Sequence, residues 1–375
     1  MPNLIQSLSL VGHPYAPIGM GEHVRCSYRA MRSVAVKPRM TDIYKIQSPD
    51  SDEATEFASA ASDTPSAINI FHINGDEVEQ AMAHLTYNEP WTGYKIIYPA
   101  WELARYPKKW AMQLDRFDEI WAPSQFIKES IEVVCTSPVF HMPLACEVVL
   151  SSFFSKRYFG IPESDYTFLF FFDVRSYSRR KNPEAAVAAF RRLLKLRPFS
   201  RARLVLKING ADTGQQIVNE LNESLRDISD SVTIITRKMS DNEAKNLVRC
   251  CDCFLSLHRS EGFGRGMAEA MFLGKPVIAT AYSGNMDFMS AETALLVPFE
   301  LVPVGRNAYP HWENQVWANP SDDAASHHMV KLVDNPDFGR ELGRRASLDI
   351  RVRSSYRNTG LRYLLRLEQI VARAV

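Results

Sequence analysis

At 375 residues the chain exceeds what one hydrophobic core usually organises, so two domains are expected. Its 44 Lys and Arg against 43 Asp and Glu leave a formal net charge of +1, which excludes a chain-wide field for gathering nucleic acid or anionic lipid. Any anion site must therefore be local.

The start, "MPNLIQSLSLVGHP", lacks the basic segment and long apolar stretch of a signal peptide, and no apolar run approaches the roughly 20 residues of a spanning helix. The six cysteines (Cys26, Cys135, Cys146, Cys250, Cys251, Cys253) come with no paired-histidine motif, so neither zinc nor a disulfide framework is expected. A soluble protein of the reducing cytoplasm is the expectation.

Through the first 140 or so residues, short β-rich runs recur: "LIQSLSLVG", "AINIFHI", "YKIIYPA" and "DEIWAPS", each followed by a stretch able to form a helix. Strand alternating with helix implies a parallel sheet covered on both faces. The segment "DSDEATEFASAASDTP", Asp50 to Pro65, is small, acidic and polar, the composition of a surface loop. Its Asp50-Ser51-Asp52 has the spacing of a sugar-nucleotide metal motif, but no adjoining strand positions it, and no metal is expected.

The pattern fades across residues 142–165, a domain boundary, and restarts with "YTFLFFFDV". There follow a helix from Pro183, "RLVLKIN", a helix from Gly214 to Asp227, "SVTIIT", a helix from Asp241, "DCFLSLH", a helix from Gly264, "KPVIAT" and "TALLVP". No repeat of 20 to 50 residues is present. The fold expected is α/β, two successive Rossmann-like doubly wound domains with a cleft at the carboxyl ends of their sheets. The domains run 1–150 and 151–350, with 351–375 a terminal helix. Residues Arg340 to Arg373 hold nine arginines and three acids, with leucines spaced for an apolar helix face. A packed helix with a solvated basic face is favoured over peripheral contact with a membrane surface.

In "HRSEGFGRGMAEAMFLGKPVIATAYSGN", the turn His258 to Gly264 leads into a helix ended by Gly274, with Pro276 just beyond. A helix N-terminus presents free N–H groups and partial positive charge, so the turn is a candidate anion site, and Gly262, Gly264 and Gly266 let a ligand approach the backbone. Glu261 and Glu269 stand eight apart. On continuous helix their Cα atoms would be about 12 Å apart, beyond the roughly 5–9.5 Å of glycosidase carboxyl pairs. Two carboxylates gripping different parts of an extended ligand fit better, although ordinary helix decoration fits the spacing equally.

"SEGFGRGMAEAMFLGKPVIAT" resembles the Glu, seven residues, Glu signature of retaining glycosyltransferases of GT-B architecture, specifically glycosyltransferase family 4. "DVRSYSRRKNPEAAVAAFRRL", "YSGNMDFM" and "IGMGEHVRCSYRAM" extend the resemblance over most of the chain, in the family's order. It implies that Glu261 faces the donor sugar and Glu269 accepts from the ribose hydroxyls. Arg175 and Lys181, with Arg180 competing for the latter role, would bind the donor diphosphate and offset its charge as it leaves. Gly19 and Gly21 would form the loop closing on diphosphate and acceptor, and His72 would stand beside the reacting sugar. Gly262, Phe263 and Gly264 would line the donor, with Ser283, Gly284 and Asn285 near its sugar or phosphate. Trp101, Glu102 and Trp121 would shape the acceptor side, and the terminal helix would return to the N-terminal domain.

The reaction implied is hexosyl transfer, with retention, from a nucleoside-diphosphate sugar to a saccharide or lipid-linked acceptor in polysaccharide synthesis. It needs positioning and charge stabilisation, with no prosthetic group or metal. Segments such as "RSYSRRKNP" favour GDP-mannose over a UDP-sugar. The alternatives are a sugar-nucleotide epimerase, which would turn over the donor with no acceptor, and a non-catalytic sugar-nucleotide-binding subunit.

Overall fold

A computed structural model of the protein describes residues 5, 7–45, 55–86 and 90–373. Asp50-Ser51-Asp52 lies outside the described residues. The chain divides into two compact units, Met1–Glu147 with Val352–Val375, and Val148–Arg351.

The first unit carries a six-stranded parallel sheet: β1 (Leu8–Gly12), β2 (Arg39–Asp42), β3 (Ile68–Phe71), β4 (Tyr94–Ile97), β5 (Glu119–Ala122) and β6 (Val139–His141), in the order β2-β1-β3-β4-β5-β6. Every residue of β1, β3 and β5 is buried, as a sheet covered on both faces requires. The sheet grows in opposite directions from β1 and β3. The loops leaving those strands therefore open at the sheet's switch point, where doubly wound folds bind ligands.

The C-terminal helix Tyr356–Arg373 packs on the helix Gly19–Arg32 in this unit. The two backbones meet at Gly360, where a Cβ would stand 2.2 Å from the Ala30 carbonyl oxygen. Beyond that contact, Arg366 lies over the Phe140 ring, 3.5 Å from its centroid, and reaches the fully buried Glu119 on β5. Arg366 Nη2 donates to Glu119 Oε2 at 2.5 Å and Nε to Oε1 at 3.2 Å. Trp121 Nε1 and Tyr94 Oη donate to the same carboxylate at 2.6 and 3.1 Å. A buried carboxylate persists only when satisfied in this way. One arginine of the basic terminal segment is thus an internal ligand of the N-terminal sheet.

The second unit repeats the plan with β7 (Tyr166–Asp173), β8 (Ala202–Asn209), β9 (Val232–Ile235), β10 (Cys253–Ser256), β11 (Val277–Thr280) and β12 (Leu295–Val297), in the order β12-β11-β10-β7-β8-β9. Phe168, Phe170 and Phe172 alternate along β7 into one core with Phe190, Leu204 and Leu206. The helix expected from Gly214 to Asp227 is the shorter Gln215–Ser224, continued by a 3₁₀ stretch. An antiparallel hairpin, β13 (Phe299–Pro303) and β14 (Val316–Pro320), follows β12 and was not foreseen in the sequence. Here the switch point lies between β7 and β10, so residues following Asp173 and Ser256 meet at the carboxyl edge.

Candidate active site

The loop after β10 descends through Leu257 to Gly264 and enters the helix Arg265–Phe272. Gly264 begins that helix with φ +95°, a conformation that a side chain would strain. Beside the loop runs the turn after β7, which ends in the single helical turn Ser178–Lys181. Asn182 follows at φ +60° and donates through Nδ2 to the Leu257 carbonyl at 3.0 Å, and the Arg259 N–H donates to the Arg180 carbonyl at 2.8 Å.

These ties present Arg180 and Lys181 to Glu261. Lys181 Nζ lies 2.5 Å from Glu261 Oε1, and Arg180 Nη1 lies 3.1 Å from Oε2 while donating to the Ser260 carbonyl at 2.8 Å. The Glu261 side chain is only 9% exposed and that of Arg180 5%, whereas Lys181 keeps 25%. Burial pushes the Glu261 carboxyl up, but the charges of Arg180 and Lys181 outweigh it and hold the group at about 2. Glu261 is therefore a fixed anion at neutral pH, suited to accepting hydrogen bonds and orienting cations rather than to donating a proton.

A second tier holds Glu261 in place. Its N–H donates to Ser283 Oγ at 2.8 Å, and its carbonyl accepts from the Gly284 N–H at 2.9 Å. His258, fully buried, donates through Nε2 to Asn285 Oδ1 at 3.1 Å and accepts at Nδ1 from Ser256 Oγ at 3.0 Å; Asn285 Nδ2 donates to the Thr280 carbonyl at 3.0 Å. Burial lowers the His258 pKa, so the ring is a neutral strut. Sequence reasoning passed over His258, Asn182 and Thr280. The available signal for His258 and Thr280 was their place at the ends of strands flanking the glutamate turn.

Gly284 packs so closely that a Cβ would stand 2.0 Å from the Gly262 carbonyl oxygen. Both partners are backbone and cannot swing aside. Gly284→Ala is expected to destabilise the second unit by about 3 kcal/mol, as overpacking in a rigid site does. Thermal unfolding checks this, and an unchanged midpoint would refute the packing argument.

The remaining sequence candidates fall in varied places. Glu269 sits half-buried in the second turn of the helix Arg265–Phe272. Phe263 packs on Phe288 with ring centroids 5.0 Å apart. Ser283, Gly284 and Asn285 are buried supports of Glu261. Arg175 is half exposed and grips Asp173, with Nη2 to Oδ2 at 2.7 Å and Nε to Oδ1 at 3.0 Å, apart from the Glu261 cluster.

In the first unit, a Cβ on Gly21 would stand 2.1 Å from the Ala16 carbonyl oxygen, so that glycine closes the turn after β1, while Gly19 has open space around it. His72 follows β3 and is fully buried. Its ring stands edge-on to His23, 4.5 Å between centroids, and neither of its nitrogens has a hydrogen-bond partner among the described residues. Burial drives its pKa down to about 3, which fixes the imidazole as neutral. Trp101 and Trp121 are core residues, donating to the Arg105 carbonyl and to Glu119. All six cysteines are free thiols, and among the described residues no group of three His, Cys, Asp or Glu is placed to hold a metal. No described helix is long and apolar enough to cross a membrane.

The segment with this cluster is also the one that known families match. Residues 154–302 match the family model described as glycosyl transferases group 1. The fold is shared with GT-B glycosyltransferases. Sucrose-phosphate synthase from Thermosynechococcus elongatus superposes with a TM-score of 0.68 at 15% identity, over 97% of this chain and 99% of that one. HepE from Anabaena, in complex with UDP and glucose, gives 0.68 at 11% identity over 97% and 100%. The N-terminal domain of a Candida albicans trehalose-6-phosphate phosphatase gives 0.66 at 10% identity over 97% of each chain. A search of curated proteins found no relative of this chain.

Proposed function

We propose that the protein is a retaining hexosyltransferase that moves a sugar from a nucleoside diphosphate to a hydroxyl of a saccharide or lipid-linked saccharide. The donor is held by the unit Val148–Arg351 and the reacting end of the acceptor by the N-terminal unit. The observation that carries this reading is the buried Glu261 carboxylate, bridged by Arg180 and Lys181 at the switch point of the segment that matches the family.

The three side chains divide the work by exposure. Lys181, the most accessible, reaches the diphosphate and offsets the negative charge that gathers there as the glycosidic bond breaks. Arg180 stays buried and keeps Glu261 and the Ser260 carbonyl in register. Glu261 takes hydroxyl hydrogen bonds from the sugar, and Glu269 those of the ribose. Arg175, held by Asp173 at the end of β7, is a further cation for the diphosphate. With Glu261 unable to donate a proton at neutral pH, the departing phosphate accepts the proton of the incoming hydroxyl on the same face, which retains configuration.

The sequence favours GDP-mannose, but the structural relatives lend that donor no support, and HepE is bound to UDP and glucose. Thermal-shift titration with GDP-, UDP- and dTDP-sugars decides between them, because a ligand of the native state stabilises by RT ln(1 + [L]/Kd). One nucleotide series is expected to raise the midpoint. No response to any of them would sink the donor assignment.

A further inference from the structure

The loop that joins β13 to β14 folds against the turn that carries Arg180 and Lys181. Asn307, His311 and Asn314 adopt φ values of +55°, +52° and +58° along it, and Tyr177 has φ +55° on the facing turn. Side chains rarely occupy this region, and such strain persists only where the surroundings enforce it. The Tyr177 and Tyr309 rings lie 4.9 Å apart between centroids at 55°. Tyr177 is nonetheless 46% exposed. Between loop and turn lies a shallow cavity, largely open to solvent, of about 370 Å³, lined by Tyr177, Tyr309, Trp312, Asn307, His311 and Glu313 together with Pro310. Ligand sites run from roughly 300 to 1,000 Å³, so its size suits one or two small rings.

We infer that this cavity is a subsite for a neutral pyranose of the acceptor, distal to the reacting hydroxyl. The inference rests on the glycosyl-transfer reading for the word acceptor, but the chemistry of the lining stands by itself. Aromatic faces offer a platform for the C–H face of a pyranose at little entropic cost, and the Asn307 amide and Glu313 carboxylate supply directional hydrogen bonds for its hydroxyls. The lining contains no lysine or arginine, and Glu313 repels phosphate, which disfavours the nucleotide as occupant. Tyr177 accepts the Arg180 N–H through its carbonyl at 2.9 Å. A sugar stacked on Tyr177 is thereby registered against the cations that hold Glu261.

The test is saturation-transfer NMR on the full chain with neutral methyl hexosides and oligosaccharides, with UDP and GDP as separate probes. A neutral saccharide is expected to bind the unaltered protein, to weaken about tenfold in Trp312→Ala and Tyr177→Ala, and to be retained in Tyr177→Phe. Nucleotide affinity is expected to be unchanged in Trp312→Ala. The inference is overturned if a nucleotide binds but no saccharide does, or if Trp312→Ala weakens the nucleotide and leaves the saccharide untouched. Saccharide binding lost in Trp312→Ala, with no nucleotide bound at all, would uphold the subsite and refute the transfer reading instead.

Discussion

Lys181→Ala is expected to lower transfer by about 100- to 1,000-fold while leaving the thermal midpoint within a few degrees of the unaltered protein. The first half follows from removing the one accessible cation of the cluster at the point where charge accumulates in the reaction. The second follows from the geometry, because Glu261 keeps Arg180 at 3.1 Å when Lys181 is gone. Glu261→Ala makes the contrast. It also abolishes transfer, but it leaves the Arg180 guanidinium buried without its acid, so a fall in stability accompanies the loss. Product formation and thermal unfolding, measured on both variants, separate the two roles. Full activity in Lys181→Ala would discard its place at the diphosphate. The Glu261 pair also sets a pH dependence. Its folded pKa, about 2, lies below the ordinary 4.5, so its stabilisation is complete above pH 4.5 and is lost as the pH falls toward 2. In Glu261→Gln that part of the acid sensitivity should disappear.

The largest effect on stability is expected at Arg366→Met. The substitution keeps much of the volume over Phe140 but leaves Glu119, fully buried, with Trp121 and Tyr94 as its remaining donors. Breaking a buried pair from one side costs about 3–5 kcal/mol. For a unit of this size that corresponds to roughly 6–20 °C in the midpoint of the first unit. Differential scanning calorimetry would show the drop, and a midpoint within 2 °C or so of the unaltered chain would mean that the pair contributes little.

The strands readable in the sequence were those rich in apolar, β-branched or aromatic residues: "LSLVG", "INIF" and "CFLS" are buried throughout and "YTFLFFFD" mostly so, while "YKII" and "VTII" stood out although partly exposed. The short "RMTD" and "VFH" lie at the outer edges of the first sheet, partly exposed, and carry too few apolar residues to stand out. The hairpin of "FELVP" and "VWANP" escaped because proline and exposed positions interrupt its alternation. At the site, the motif pointed to Glu261, yet in Arg179-Arg180-Lys181 spacing could not say which cation turns inward. One helical turn distributes them, and only tertiary packing buries Arg180. Likewise, a hydroxyl at Ser283 reads as a ligand contact until the Glu261 N–H is seen to point at it.

The C-terminal helix has a consequence for how the protein is made. The chain leaves its first unit at Glu147, builds the whole of the second, and returns only at Val352. Glu119 meets Arg366, 247 positions further along the chain. During synthesis the N-terminal sheet therefore emerges first yet is finished last. Its buried acid stays without its arginine until residue 366 has been added, while the unit holding Glu261 has every residue it needs before that moment.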